Sequence, residues 1–277
     1  MTPVGGGASS LLAESEPVIL LGRGGSGTRI LSQLALANGV FIGNELNQSQ
    51  DSVEWVDAIY DLAVECTGSG VVAGSARDAH WRRRLREQAC EILDKAGRSP
   101  AGLWGWKLPE TMLALPQIMR AFPRARIIHL VRHPVTSALR RTHVTSRMDN
   151  RVGCTALPAS YKACGFDPGV IARDAAYLHN AASWKFQLGS VLGVLDAPES
   201  STNVLQLRYE DVCAMPREGL DKVATFLGRT PPPAAAEPVI EWDRTDESLD
   251  ADERADRIWS ICGPTASRLG YRRHARK

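Results

Sequence analysis

Apolar positions along the chain fall into two spacings that alternate. Short apolar runs at Val18–Leu21, Val40–Ile42, Leu103–Lys107, Arg126–Val131 and Val204–Leu207 have the length and the β-branched or aromatic content of strands. Between them lie longer segments with apolar residues three and four apart. These predict helices over Ile30–Ala37, Asp51–Ala63, Ser75–Ala96, from Pro109 to Phe122, Val135–Thr145, Ile171–Leu192 and Pro216–Leu227. In Ser75–Ala96, for example, Trp81, Leu85, Ala89, Ile92 and Leu93 form one stripe. Caps mark the ends: Asn38-Gly39 closes the first helix, Asp51 and Glu54 suggest a capping box, and Gly228 closes the last of the series. Strands that alternate with helices imply an α/β fold, a mostly parallel sheet covered by helices on both faces. Arg126–Val131 is the clearest central strand.

Some segments depart from this pattern. From Asp149 to Gly169 the chain turns to Gly, Pro, Cys and small polar residues with no clear period, so a mobile loop shaping a substrate pocket is expected there. Pro231-Pro232-Pro233, three alanines and Pro238 predict a linker, followed by a helix over Ser248–Leu269 broken at Gly263-Pro264. Residues 1–16 are small, polar and acidic, as in a disordered leader. The expected organisation is therefore a leader (1–16), an α/β domain (17–228) and a C-terminal linker and helix (229–277) packed on that domain.

Composition narrows the function classes. The 277 residues carry a net charge of only +2, so no global basic field points to nucleic acid. No apolar run approaches a membrane span. Six cysteines, at 66, 90, 154, 164, 213 and 262, show no C-x-x-C pair and no metal-type spacing with histidine. Free thiols, a cytoplasmic location and no metal are the expectations. The oligomeric state stays open.

The chemistry concentrates at one loop. Val18–Leu21 breaks into Gly22-Arg23-Gly24-Gly25-Ser26-Gly27-Thr28-Arg29, which runs straight into a helix. Glycines let backbone N–H groups approach an anion, and the helix N-terminus adds partial positive charge. Ser26, Thr28, Arg23 and Arg29 add donors suited to phosphate or sulfate oxygens. Three templates compete. Gly22, Gly24 and Gly27 satisfy G-x-G-x-x-G, with Glu45 about 20 residues on as a ribose-binding acid, which suits a Rossmann dinucleotide site. Gly22 and Gly27 also satisfy half of a Walker motif, but Thr28 and Arg29 stand where lysine and a magnesium-binding hydroxyl are required. A loop for a nucleotide 5′-phosphosulfate needs donors and no magnesium ligand. The loop alone leaves the choice open.

Four stretches in order resemble the sulfotransferases that use 3′-phosphoadenosine 5′-phosphosulfate (PAPS). G-R-G-G-S-G-T-R at 22–29 is similar to their 5′-phosphosulfate loop. G-W-K-L-P at 105–109 is similar to their middle segment, R-I-I-H-L-V-R-H-P at 126–134 to their 3′-phosphate strand, and L-R-Y-E-D-V at 207–212 to a late strand and helix. The resemblance runs from about residue 18 to 228. It implies a P-loop-like three-layer fold and transfer of a sulfuryl group to a hydroxyl or, second, an amine, with release of the desulfonated product PAP. It further implies that Arg23, Gly24, Gly25, Ser26, Gly27, Thr28 and Arg29 hold the 5′ end and that Arg132 holds the 3′-phosphate. Lys107 is implied to stabilise charge at the bridging oxygen. Arg140 occupies the place of the family's 3′-phosphate serine, with Ser137 as the alternative. Glu45 is the expected general base, with Asp51 and Glu54 behind it. His129 is expected in the core. Gly25 stands where many members carry lysine or arginine, so Arg23 or Arg29 would have to substitute. A C-terminal R-K-G-type clamp is missing, which favours a bacterial or carbohydrate-type branch over the cytosolic small-molecule branch. The acceptor, whether a small molecule, a glycan or a lipid, is not specified by these residues.

Overall fold

The computed structural model describes residues 12, 14–196, 203–238 and 252–273. Four parallel strands form the sheet: β1 (Val18–Leu21), β2 (Gly105–Lys107), β3 (Arg126–Val131) and β4 (Val204–Arg208), in the order β2-β1-β3-β4. Val40–Ile42, expected as a strand, contributes only a single parallel bridge, Phe41 to Trp104, at the β2 edge. The helices are α1 (Arg29–Ala37), α2 (Val56–Thr67), α3 (Ala76–Lys95), α4 (Leu115–Ala121), α5 (Pro134–Ala138), α6 (Gly153–Ala163), α7 (Ala176–Leu195), α8 (Tyr209–Ala214), α9 (Pro216–Phe226) and α10 (Ala255–Arg268).

Strand periodicity builds three layers. Ile19, Leu21, Ile127 and Val131 point to one face, into a cluster with α2, α3, α4, α7 and α10. Val18, Leu20, Ile128, Leu130 and Leu207 point to the other, against α1, α8 and α9. All four residues of β1 are fully buried, so the strand carrying the glycine loop is covered on both faces, as a parallel sheet requires. On the first face Trp55 stacks on Trp106 with ring centres 4.2 Å apart, which stiffens the end of β2. His129 is buried within β3, as expected, and burial pushes its pKa down to about 4.

Three expectations are corrected. The segment 149–169 is not a loop throughout: α6 occupies its middle. Asn150 Oδ1 accepts from the N–H groups of Val152 and Gly153, which starts the helix. Leu157 and Tyr161 then bury against Ile171 and Ala182. Its small residues and Pro158 hide this period in the sequence. The helix expected through Thr145 stops at Ala138, and only a short 3-10 turn, Val144–Ser146, follows. The break expected at Gly263-Pro264 does not occur, and α10 runs through both residues. Residues 239–251, including the start expected at Ser248, lie outside the described residues. Of the leader, Leu12 is buried, and Glu16 pairs with Arg124 (2.5 Å) and Arg126 (2.6 Å); residues 1–11 lie outside the described residues. None of the six cysteines forms a disulfide.

Candidate active site

The site forms where β1, β2 and β3 end together. In an open parallel sheet the C-terminal strand ends leave a crevice at which loops converge. β1 delivers the glycine loop, β2 delivers Lys107 and β3 delivers Arg132. Because β1 lies between the other two, the loop is flanked by one cation from each neighbour.

Two aromatic rings hold the loop. A Cβ at Gly24 would lie 2.1 Å from the His143 ring, and one at Gly27 would lie 2.2 Å from the Tyr209 ring. Gly27 also has φ +86°, a left-handed backbone that disfavours any side chain. Gly25 has φ +84°, a left-handed backbone that favours glycine at this position. Arg23 does not turn outward into the loop. It is buried beneath the loop and donates to Gly24 O (3.2 Å), Ser146 Oγ (2.9 Å) and Asn180 Oδ1 (2.8 Å). Burial pushes its pKa down to about 10. Arg23 thus ties the loop to α7. Ser26 and Thr28 are buried, Thr28 as the residue preceding α1, and Arg29 is exposed on the first turn. Among the described residues, the loop amides of Gly24, Gly25, Gly27 and Thr28 have no backbone acceptor, whereas that of Ser26 is taken by Arg23 O (3.0 Å). Free amides at a helix N-terminus suit an anion.

Lys107 is buried at the tip of β2. Its Nζ donates to Asp51 Oδ1 (2.5 Å), Ser49 O (2.7 Å) and, more loosely, Thr28 Oγ1 (3.4 Å). Burial lowers its pKa, and Asp51 works in the opposite direction. The segment carrying Asp51 is built for this contact. Asn47 Oδ1 accepts from the N–H groups of Ser49 (2.8 Å) and Asp51 (2.9 Å). Gln50, between them, is the one non-glycine with positive φ (+56°) among the described residues. Ser52 then exchanges bonds with the Lys107 backbone, donating N–H to its carbonyl (2.9 Å) and accepting its N–H at Oγ (2.9 Å). Asp51 therefore does not cap a helix. Glu54 does not form the capping box either, since its Oε1 accepts from the N–H groups of Asn44 (2.7 Å) and Glu45 (3.3 Å). That turn leaves the Glu45 carboxylate exposed, 3.5 Å from Lys95 Nζ, and the carboxylate that meets Lys107 is Asp51.

Sequence reasoning missed Glu110 and His143. Glu110 follows Pro109 in a 3-10 turn, Pro109–Ala114, and is fully buried beside the Tyr60 hydroxyl. Its Oε1 lies 3.6 Å from His143 Nε2. Burial raises the Glu110 pKa to about 7, with the Asp51 charge adding to the rise. Burial pushes His143 down to about 3, helped by the positive charges of Arg23 and Lys107. The only hint in sequence was the place of Glu110, one turn after Lys107; nothing local announced His143.

On the other flank Arg132 is buried with its guanidinium carbon 3.9 Å from the Tyr209 ring centre. Burial lowers its pKa, and the nearby Arg140 lowers it further. The two arginines therefore share one neighbourhood. Ser137 is buried between them in the chain, and its hydroxyl has no hydrogen-bond partner among the described residues. Glu210 fixes this corner by accepting from His133 N–H (2.8 Å) and the Tyr271 hydroxyl (2.8 Å).

The model of one family, described as "Sulfotransferase family", matches residues 17–233. The chain belongs to the sulfotransferase family. Sulfuryl transfer is the chemistry of that family, and the Rossmann dehydrogenase alternative falls. Solved structures similar in fold include a sulfotransferase from Alicyclobacillus acidocaldarius (14% identity, 92% of this chain and 94% of that one, TM-score 0.52). They also include the sulfotransferase STF9 from Mycobacterium avium (11% identity, 95% and 79%, TM-score 0.55). A third is the sulfotransferase domain of the Synechococcus PCC 7002 olefin synthase (18% identity, 94% and 96%, TM-score 0.50). No curated protein matches the chain. Among the described residues no helix is long and apolar enough to cross a membrane, and no group of side chains is arranged to hold a metal ion.

Proposed function

We propose that this sulfotransferase uses PAPS and transfers its sulfuryl group to a hydroxyl of an acceptor, releasing PAP. The observation that carries this is the convergence of Lys107 on Thr28: a buried ammonium from β2 reaches the helix N-terminus that follows the glycine loop. PAPS supplies a sulfuryl group whose sulfur–oxygen bond to the 5′-phosphate breaks as the acceptor oxygen bonds to sulfur.

The residues present suit that donor. The free amides of Gly24, Gly25, Gly27 and Thr28, with the Ser26 and Thr28 hydroxyls and Arg29, would hold the 5′ end. Arg132 and Arg140 would hold the 3′-phosphate, with the unpartnered Ser137 hydroxyl as a further donor. Lys107 places positive charge where the leaving oxygen becomes negative, in a buried site where that charge counts for most. Asp51, hydrogen-bonded to Lys107, would take the acceptor's proton in preference to the exposed Glu45, a reading supported by its contact with the ammonium. Arg23 and His143 act from behind, keeping the loop in shape.

Thermal unfolding with added PAP tests the donor. At a hundredfold excess over Kd, PAP should stabilise the fold by about 2.7 kcal/mol. NADH and ATP with magnesium should leave the midpoint in place. No shift with PAP would remove the proposal.

A further inference from the structure

A cavity of about 720 Å³ opens beside the loop, lined by residues of the turn after α5, the 3-10 segment Pro168–Arg173 and the start of α7. It adjoins the residues that support the loop. Ser146 lines it and accepts the hydrogen bond from Arg23, while Thr142 lines it immediately before His143. The size is that of a small organic ligand.

Most of its polar groups are already used. Asp174 Oδ2 accepts from the Tyr161 hydroxyl (2.9 Å), and His179 Nε2 pairs with Ile171 O (3.0 Å). Arg147 and Asp149 bond to each other, Nε to Oδ1 at 3.0 Å and Nη2 to Oδ2. Ser146 is taken by Arg23. What the wall offers a ligand is aliphatic: Met148, Pro168, Ile171, Ala172 and Ala176. Among the described lining residues there is no phenylalanine, tyrosine or tryptophan, and the one aromatic ring, His179, is engaged with Ile171 O. The many hydroxyls of a glycan would find few free partners on this wall. An acidic glycan would find its one lining arginine engaged with Asp149.

Resting on the sulfotransferase function proposed above, we infer that this cavity is the acceptor subsite and that the acceptor is a hydroxylated molecule with an aliphatic body. A chain or ring system would lie along Met148, Ile171 and Ala172, with its hydroxyl directed toward the loop. The acceptor oxygen would gain the sulfuryl group, its proton would pass to the carboxylate beside Lys107, and the electron pair of the broken bond would leave with PAP.

Calorimetry with 1-octanol, with and without PAP, reads the cavity apart from the donor. The wild-type chain should bind 1-octanol, and Ala172→Trp and Ala176→Trp, both at exposed positions on the cavity wall, should each weaken it at least tenfold with the Kd for PAP unchanged. With labelled PAPS, 1-octanol should be sulfated and maltotriose should not. PAP binding without 1-octanol binding, octanol binding untouched by both variants, or faster turnover of maltotriose would each overturn the subsite. If 1-octanol binds and the variants block it while PAP does not bind, the cavity assignment stands and the donor assignment fails.

Discussion

Glu110 offers a test of its burial beside the Asp51 charge. A carboxyl with an ordinary pKa of 4.5 is raised to about 7 because it is fully buried and close to the Asp51 charge, against the opposing pull of the Tyr60 hydroxyl and Lys107. Between those pH values the folded chain keeps a proton that the unfolded chain has released. Stability from this group is therefore complete below about pH 4.5 and is lost as the pH rises through 7. One pKa unit is worth about 1.4 kcal/mol, so the whole effect is about 3 kcal/mol, of which about 2 kcal/mol falls between pH 5.5 and pH 8. Glu110→Gln keeps the shape and removes the titration. The glutamine amide adds a constant cost or gain that is the same at both pH values. His129 and His143, pushed down to about 4 and about 3, give stability that grows as the pH rises to their ordinary value of 6.5. That slope is common to both proteins and drops out of their difference. Urea unfolding at pH 5.5 and pH 8 should show the variant gaining about 2 kcal/mol on the wild type as the pH rises, roughly 4–8 °C in melting temperature. A difference that stays constant between the two pH values would show that Glu110 is not held neutral by burial, and the description of the Glu110–His143 contact would have to be abandoned.

Lys107→Met should lower kcat by about a hundredfold or more, with the Kd for PAP changed much less, because the ammonium acts on charge that develops in the transition state; single-turnover sulfation with labelled PAPS measures it. Arg132→Gln should weaken PAP at least tenfold by calorimetry while adenosine binding stays as it was, since the guanidinium is assigned to the 3′-phosphate. Gly27→Ala should destabilise by about 2 kcal/mol in urea unfolding and weaken PAP, because its Cβ must enter a left-handed backbone and displace the Tyr209 ring on which Arg132 rests.

Chain order alone carried the fold and half of the site. Buried parallel strands need uninterrupted apolar runs, so β1 and β3 are visible as Val-Ile-Leu-Leu and Ile-Ile-His-Leu-Val. The glycine loop is contiguous, so its turn, its donors and the helix behind it can be found together. Lys107 and Arg132 follow because strand ends in such a sheet share one edge. By contrast α6 was hidden, since alanines, a proline and a glycine leave a weak period until Leu157 and Tyr161 are seen against α7.

What only the tertiary structure decided are the contacts between distant segments. Glu45 and Asp51 stand six residues apart in one turn, and composition cannot say which carboxylate turns inward. The bonds of Glu54 to the Asn44 and Glu45 amides, and the left-handed Gln50, aim Asp51 at Lys107 and leave Glu45 outside. Arg23 looked like the missing loop cation, yet the acceptors waiting on Ser146 and Asn180 draw it beneath the loop. Glu110 and His143 meet only because β2 and the turn after α5 are brought to the same sheet edge. Local pattern determines which backbone a segment adopts, because hydrogen bonding and side-chain periodicity act between near neighbours. The partners of a buried charge are set by packing, and packing joins residues that the sequence keeps apart.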